Sequence, residues 1–139
     1  MIFVLDTNTL VYFFRGEGRV AARLLSTPPG SIAVPSLVVY ELQTGIAKSV
    51  DSARRRQQLD SLLQVVKVVP FGLEEAKAAA SVRSVLESRG TPIGPIDTLI
   101  AGVALAQRGI LVTRNLREFR RVDGLSVEDW YGESGATAP

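Results

Sequence analysis

The 139-residue chain contains neither cysteine nor histidine. The first absence excludes disulfides, thiolate nucleophiles and sulfur-bound metals. The second removes imidazole as base or zinc ligand, and with it every Ser-His or Cys-His catalytic pairing. Any metal here would sit on oxygen ligands alone. No apolar run approaches the roughly 20 residues of a membrane-spanning helix, and Met1-Ile2-Phe3 enters a hydrophobic stretch without the basic leader of a secretory signal. A soluble, cytoplasmic protein with no membrane partner is the expectation. Lysine is scarce as well: of 16 basic residues, 13 are Arg and 3 are Lys, in a chain of net charge +2. The planar Arg fork suits phosphate oxygens and hints at nucleic acid, although a GC-rich genome yields the same Arg and Ala bias.

With 46% hydrophobic and 22% charged residues, the composition fits one domain with a sizeable core, spanning 1–131, and a tail at 132–139 expected to be disordered. Ile2-Phe3-Val4-Leu5 reads as a buried parallel strand ending at Asp6. Helices are expected over Thr7 to Phe14 and Gly18 to Leu25, the second stopped by Pro28-Pro29-Gly30, before a strand over Ser31 to Val34. Ser36 reads as the N-cap of a helix running to about Ser49, and Asp51 or Ser52 as the cap of the next, through Leu63. Val65 to Val69 is a β-branched strand, followed by an Ala-rich helix from Leu73 to Ser88. After a Gly/Pro loop, a helix opens near Ile96-Asp97 and runs to Arg108, then come a strand over Ile110 to Thr113, a short helix over Leu116 to Arg120 and a last strand near Leu125 to Val127. Strands separated by helices imply right-handed crossovers. The expected fold is therefore α/β: a three-layer α/β/α sandwich around a parallel sheet of four or five strands.

In such sheets functional groups gather beyond the carboxyl ends of the strands. Asp6 lies there, either as a ligand facing the crevice or as the N-cap of the following helix. Glu41 interrupts an apolar stripe formed by Val38, Leu42 and Gly45, and a buried carboxylate is costly unless it pairs with an Arg or coordinates a metal; a rotated helix would instead leave it in solvent. It lies six residues past Pro35, about 9 Å along a helix, within reach of the same crevice. Asp97, at a helix start, could be only a cap. Three carboxylates brought together without histidine repel and raise one another's pKa unless a divalent cation neutralises them, and water-retaining oxygen sites suit Mg²⁺ or Mn²⁺. Such a cation acidifies water and screens the charge on phosphate, which favours phosphodiester hydrolysis.

Leu5-Asp6-Thr7-Asn8, Tyr40-Glu41-Leu42, Gly94-Pro95-Ile96-Asp97-Thr98-Leu99-Ile100-Ala101 and Leu111-Val112-Thr113-Arg114-Asn115-Leu116-Arg117-Glu118-Phe119, in this order, resemble the PIN-domain family, and within it the VapC toxins of bacterial toxin–antitoxin pairs. The resemblance runs from Ile2 through Leu125 to Trp130. It implies a PIN-like fold and a Mg²⁺-dependent endoribonuclease, with Mn²⁺ as a substitute, that inhibits translation. It also implies a homodimer and a VapB-type antitoxin whose C-terminal segment covers the acidic crevice, with the helices around Leu24 to Leu25 and Val38 to Ile46 as candidate contacts. The family's three acids fall on Asp6, Glu41 and Asp97, of which Asp6 and Asp97 are the metal ligands. A fourth acidic position falls on Asn115, leaving a neutral oxygen there or a replacement by Glu118, although a solvent-facing Glu118 beside Arg117, Arg120 and Arg121 is the commoner outcome. Thr113 would orient a carboxylate or water. Arg114 and Arg117 are the candidate RNA contacts, whereas Arg54-Arg55-Arg56 reads as a solvated helix face. Trp130 and Tyr131 could stack on bases or pack the chain end onto the domain.

Two other readings compete. Asp6-Thr7-Asn8 after a strand also looks like the aspartyl-phosphate loop of haloacid-dehalogenase-type phosphatases, but none of Lys48, Lys67 and Lys77 lies in a suitable loop. A PIN-like module that binds RNA or protein without cutting is kept open by Asn115.

Overall fold

The computed structural model describes residues 1–132. The expected tail therefore lies, beyond Gly132, outside the described residues. Five short strands, β1 (Phe3–Leu5), β2 (Ile32–Pro35), β3 (Lys67–Val69), β4 (Ile110–Val112) and β5 (Ser126–Glu128), form one parallel sheet in the order β3-β2-β1-β4-β5. The central strands are apolar on both faces, as helix-covered parallel strands must be: Val4, Leu5, Ala33, Val34, Leu111 and Val112 are all inaccessible to solvent. Seven helices flank them: α1 (Thr7–Arg15), α2 (Val20–Leu25), α3 (Ser36–Ala47), α4 (Ser52–Leu63), α5 (Leu73–Ser88), α6 (Pro95–Ala106) and α7 (Leu116–Phe119). The three-layer α/β/α sandwich is thus present, with five strands. Among the described residues no helix is long and apolar enough to cross a membrane.

Each expected element is present, most with shifted ends. Ile2, Val65, Val66 and Thr113 fall outside their strands, and the second helix starts at Val20, beyond the left-handed Gly18. Ser36 is the first helical residue instead of the cap; Pro35 holds the cap position and no side chain bonds there. Asp51 precedes α4 without a capping hydrogen bond. Asp97 is the third residue of α6, behind Gly94 and Pro95, so it is no N-cap. Proline's preset φ and missing N–H suit the first helical position, which moves the helix start two residues upstream of the acid.

Two contacts set the frame of the site. The Asp6 N–H donates to the Val112 carbonyl (3.2 Å) and the Thr9 hydroxyl to the same oxygen (3.1 Å), tying the start of α1 to the end of β4. At Gly102 an added Cβ would stand 2.6 Å from the Ala79 Cβ, so α5 and α6 approach closely through small residues and hold the N-terminal turn of α6 in place.

Candidate active site

The chain reverses its direction of travel across the sheet between β1 and β4, and ligands in α/β sheets collect outside the carboxyl ends at such a switch point. Asp6 follows β1 directly and is 5% exposed. Its Oδ1 accepts the Thr9 N–H (2.9 Å), so Asp6 is an N-cap and also a buried carboxylate. Burial raises its pKa, hydrogen bonds from Thr113 and Thr9 lower it in part, and the charge of Glu41 adds to the rise. Asp97, half-buried, is pushed up to about 6, chiefly by desolvation and then by the charges of Asp6, Glu118 and Glu41. Asp97 thus feels the charges of Asp6, Glu41 and Glu118 at the same end of the sheet.

Glu41 accepts a hydrogen bond from the Thr7 hydroxyl at 2.5 Å, a charge-assisted contact linking α3 to the first turn of α1. Among the described residues it makes no ion pair, and it is half-buried, so neither the Arg partner nor the solvated alternative describes it. Asn115 donates its Nδ2–H to Glu118 Oε2 (3.0 Å), and its backbone N–H bonds the Thr113 hydroxyl (3.0 Å). The solvent-facing reading of Glu118 is thereby corrected: the short α7 turns it inward, where Asn115 holds it and Asp97 feels its charge.

The arginines divide. The Arg114 Cζ lies 3.6 Å from the centroid of the Tyr131 ring, with the Tyr12 ring at 5.8 Å. Arg117 and Arg120 are exposed, and Arg121 donates to the Pro92 carbonyl. Arg54 and Arg56 are solvated, whereas Arg55 is half-buried and donates to the Phe14 carbonyl (3.5 Å). Trp130 is 1% exposed, with its Nε1–H on Glu128 (2.9 Å), so base stacking is closed to it and packing of the chain end is what it does. Thr7 and Tyr12 were missed by the sequence reading. Thr7 adjoins Asp6 in a quoted motif, but nothing in the sequence pairs it with Glu41, 34 positions away.

The donor set suits a hard divalent cation: oxygen only, buried or half-buried, with no Lys or Arg in ion-pair range of Asp6, Glu41 or Asp97 among the described residues. No group of three or more acidic side chains there is gathered tightly enough to hold a metal by itself.

A histidine-free acidic crevice at the switch point of a five-stranded parallel sheet defines a PIN-like nuclease fold. The chain belongs to the PIN-domain family, whose model matches residues 3–125. It is 34% identical over 132 residues to "Ribonuclease VapC2" of Rickettsia felis, covering 94% of this chain and 98% of that protein. To the "tRNA(fMet)-specific endonuclease VapC" of Salmonella typhimurium it is 30% identical over 128 residues, covering 92% and 97%. Among solved structures, VapBC2 from Rickettsia felis bound to a DNA fragment from their promoter superposes with a TM-score of 0.86 at 34% identity, covering 94% of this chain and 99% of that one. The phosphatase-like reading of Asp6-Thr7-Asn8 falls with these matches.

Proposed function

We propose that the protein is the endoribonuclease toxin of a toxin–antitoxin pair, cutting RNA phosphodiester bonds at the crevice formed by Asp6, Glu41, Asp97 and Asn115 and so inhibiting translation. The observation that supports the reading is an Asp97 that feels the charges of Asp6, Glu118 and Glu41 and has no cationic partner among the described residues, in a chain 30% and 34% identical to two VapC ribonucleases over nearly its whole length. Asp6 and Asp97 would hold the metal. PIN nucleases generally need a divalent metal; Mg²⁺ is the ion proposed, with Mn²⁺ as a substitute. When bound, it supplies charge neutralisation on the phosphate and acidifies a water.

The protein groups do the positioning. The Thr9 backbone N–H fixes the Asp6 carboxylate, with the Thr113 hydroxyl lowering its pKa, and the Thr7 hydroxyl fixes Glu41. Glu41 orients the attacking water and receives its proton as the water oxygen bonds to phosphorus, the bond to the leaving ribose oxygen breaks and that oxygen takes a proton from solvent water. Asn115 holds Glu118 at the rim, where the fourth acid of the family pattern is displaced from 115 to 118. Arg114 and Arg117 meet RNA phosphates outside the crevice.

The partner is a VapB-type antitoxin. A cleft of about 240 Å³ beside α1 and α3, lined by Val11, Phe14, Leu42 and Ile46 with Glu41, Arg15 and Arg55 among its polar groups, offers a mixed apolar and charged seat for its C-terminal segment. The protein is read as a homodimer, which light scattering on the isolated chain checks. The deciding experiment is incubation of total cellular RNA with the purified chain, with Mg²⁺ or with EDTA. Discrete cleavage that chelation abolishes is expected; binding of RNA without cleavage would favour the non-catalytic module.

A further inference from the structure

Arg114 follows Thr113, whose hydroxyl serves Asp6, and precedes Asn115, which holds Glu118; it therefore stands at the lip of the crevice. It is exposed, and among the described residues no carboxylate lies within ion-pair distance of it. Yet its guanidinium is not loose. It lies 3.6 Å from the centroid of Tyr131, which itself packs edge-on against Tyr12 at 5.0 Å and 78°. Tyr131 is seated by three separate contacts. Its carbonyl accepts the Arg19 N–H (3.0 Å), its N–H donates to Asp129 Oδ1 (2.8 Å), and Gly18, at φ +60°, leaves the ring space that a Cβ would invade at 2.7 Å.

A guanidinium over a ring uses its face there, and its five N–H donors leave some for a phosphate beside any hydrogen bond to the Tyr131 or Tyr12 hydroxyl, while holding it still removes rotamer freedom that binding would otherwise have to remove. Tyr12 lies on α1, six residues or about 9 Å from Asp6, so the platform sits beside the cutting centre and not over it. We propose that Tyr131, backed by Tyr12, is a positioning residue that presents the Arg114 edge to an RNA phosphate neighbouring the scissile one. The inference rests on the ribonuclease reading and adds a substrate-positioning device to it.

The test compares wild type with Arg114→Gln, Arg114→Lys, Tyr131→Leu, Tyr131→Phe and the Arg114→Gln/Tyr131→Leu double variant. The full chain is assayed with Mg²⁺ on an RNA that it cuts, transcribed as a single species. Arg114→Gln raises KM on the order of tenfold with kcat little changed, as loss of a charge-assisted contact does. Tyr131→Leu raises KM by about threefold to tenfold, the cost of one freed long side chain. Tyr131→Phe keeps the ring and restores KM, Arg114→Lys falls between, and the double variant is no worse than Arg114→Gln alone. The salt dependence of KM becomes shallower by about 0.7 in log–log slope for Arg114→Gln, one phosphate contact on a single strand. An unmoved KM in Tyr131→Leu, a Phe variant as impaired as Leu, or an undiminished Leu effect in the Arg114→Gln background each overturns the inference and leaves Tyr131 a structural anchor. A wild-type chain that cuts no RNA refutes the ribonuclease reading instead.

Discussion

Asp97→Asn turns the repulsion in the crevice into a measurable stability gain. Asp97 makes no side-chain hydrogen bond among the described residues, so the amide replaces the charge without breaking a contact. Its pKa is about 6 in the fold against 3.8 for the free group. At pH 8 the difference of about 2 pKa units corresponds to about 3 kcal/mol of penalty on the charged form. Half exposure and the favourable N-terminal end of α6 reduce that to about 1–2 kcal/mol. The sign follows from proton uptake: the folded state binds the proton more readily, so this penalty is absent below about pH 4 and grows as pH rises through 6. In EDTA at pH 8 the variant should melt about 3–6 °C above wild type, at about 3 °C per kcal/mol for a domain of this size. At pH 5 the gap should shrink to about half. Mg²⁺ should raise the wild-type midpoint and close the gap, while the variant, with a weakened site, responds less. Calorimetric scans at the two pH values, with and without Mg²⁺, provide the check. A variant less stable than wild type at pH 8 in EDTA, or a gap indifferent to acid, would refute the argument that these carboxylates share one uncompensated crevice.

Asp6→Asn keeps a capping oxygen for the Thr9 N–H, so the fold should hold, while cleavage of total RNA and growth inhibition on expression are lost together; gel assay and plating decide it. Thr7→Val removes the hydroxyl that fixes Glu41, and kcat should fall about tenfold to a hundredfold in single-turnover assays with the melting midpoint changed little, whereas wild-type turnover would argue that Glu41 needs no such holder. Trp130→Ala should cost about 3–5 kcal/mol in urea titrations, because the ring is buried against Phe3 and its N–H is spent on Glu128. A loss below 1 kcal/mol would mean that the chain end contributes little to the domain.

The class of fold was legible in the sequence, and so were three acids as candidates for the site. Strands of two to four consecutive apolar residues separated by helical periods leave few arrangements other than a helix-covered parallel sheet, and a chain without histidine or cysteine leaves carboxylates as the ionisable ligands for a hard cation. Asp6 was legible because it follows a strand, and Glu41 because it breaks an apolar stripe. Helix starts were less legible: Pro95 fits the first helical turn, which placed Asp97 inside the helix instead of at its cap, and Pro35 displaced Ser36 in the same way. Contacts between distant segments were decided only in three dimensions. The bond from Thr7 to Glu41 spans 34 positions, the charge of Glu118 reaches Asp97 from a different helix, and Arg114 finds Tyr131 because β5 lies beside β4 at the sheet edge. Local pattern specifies which face of an element is apolar; which polar groups then meet across the crevice depends on the strand order, and the strand order is a property of the packed whole.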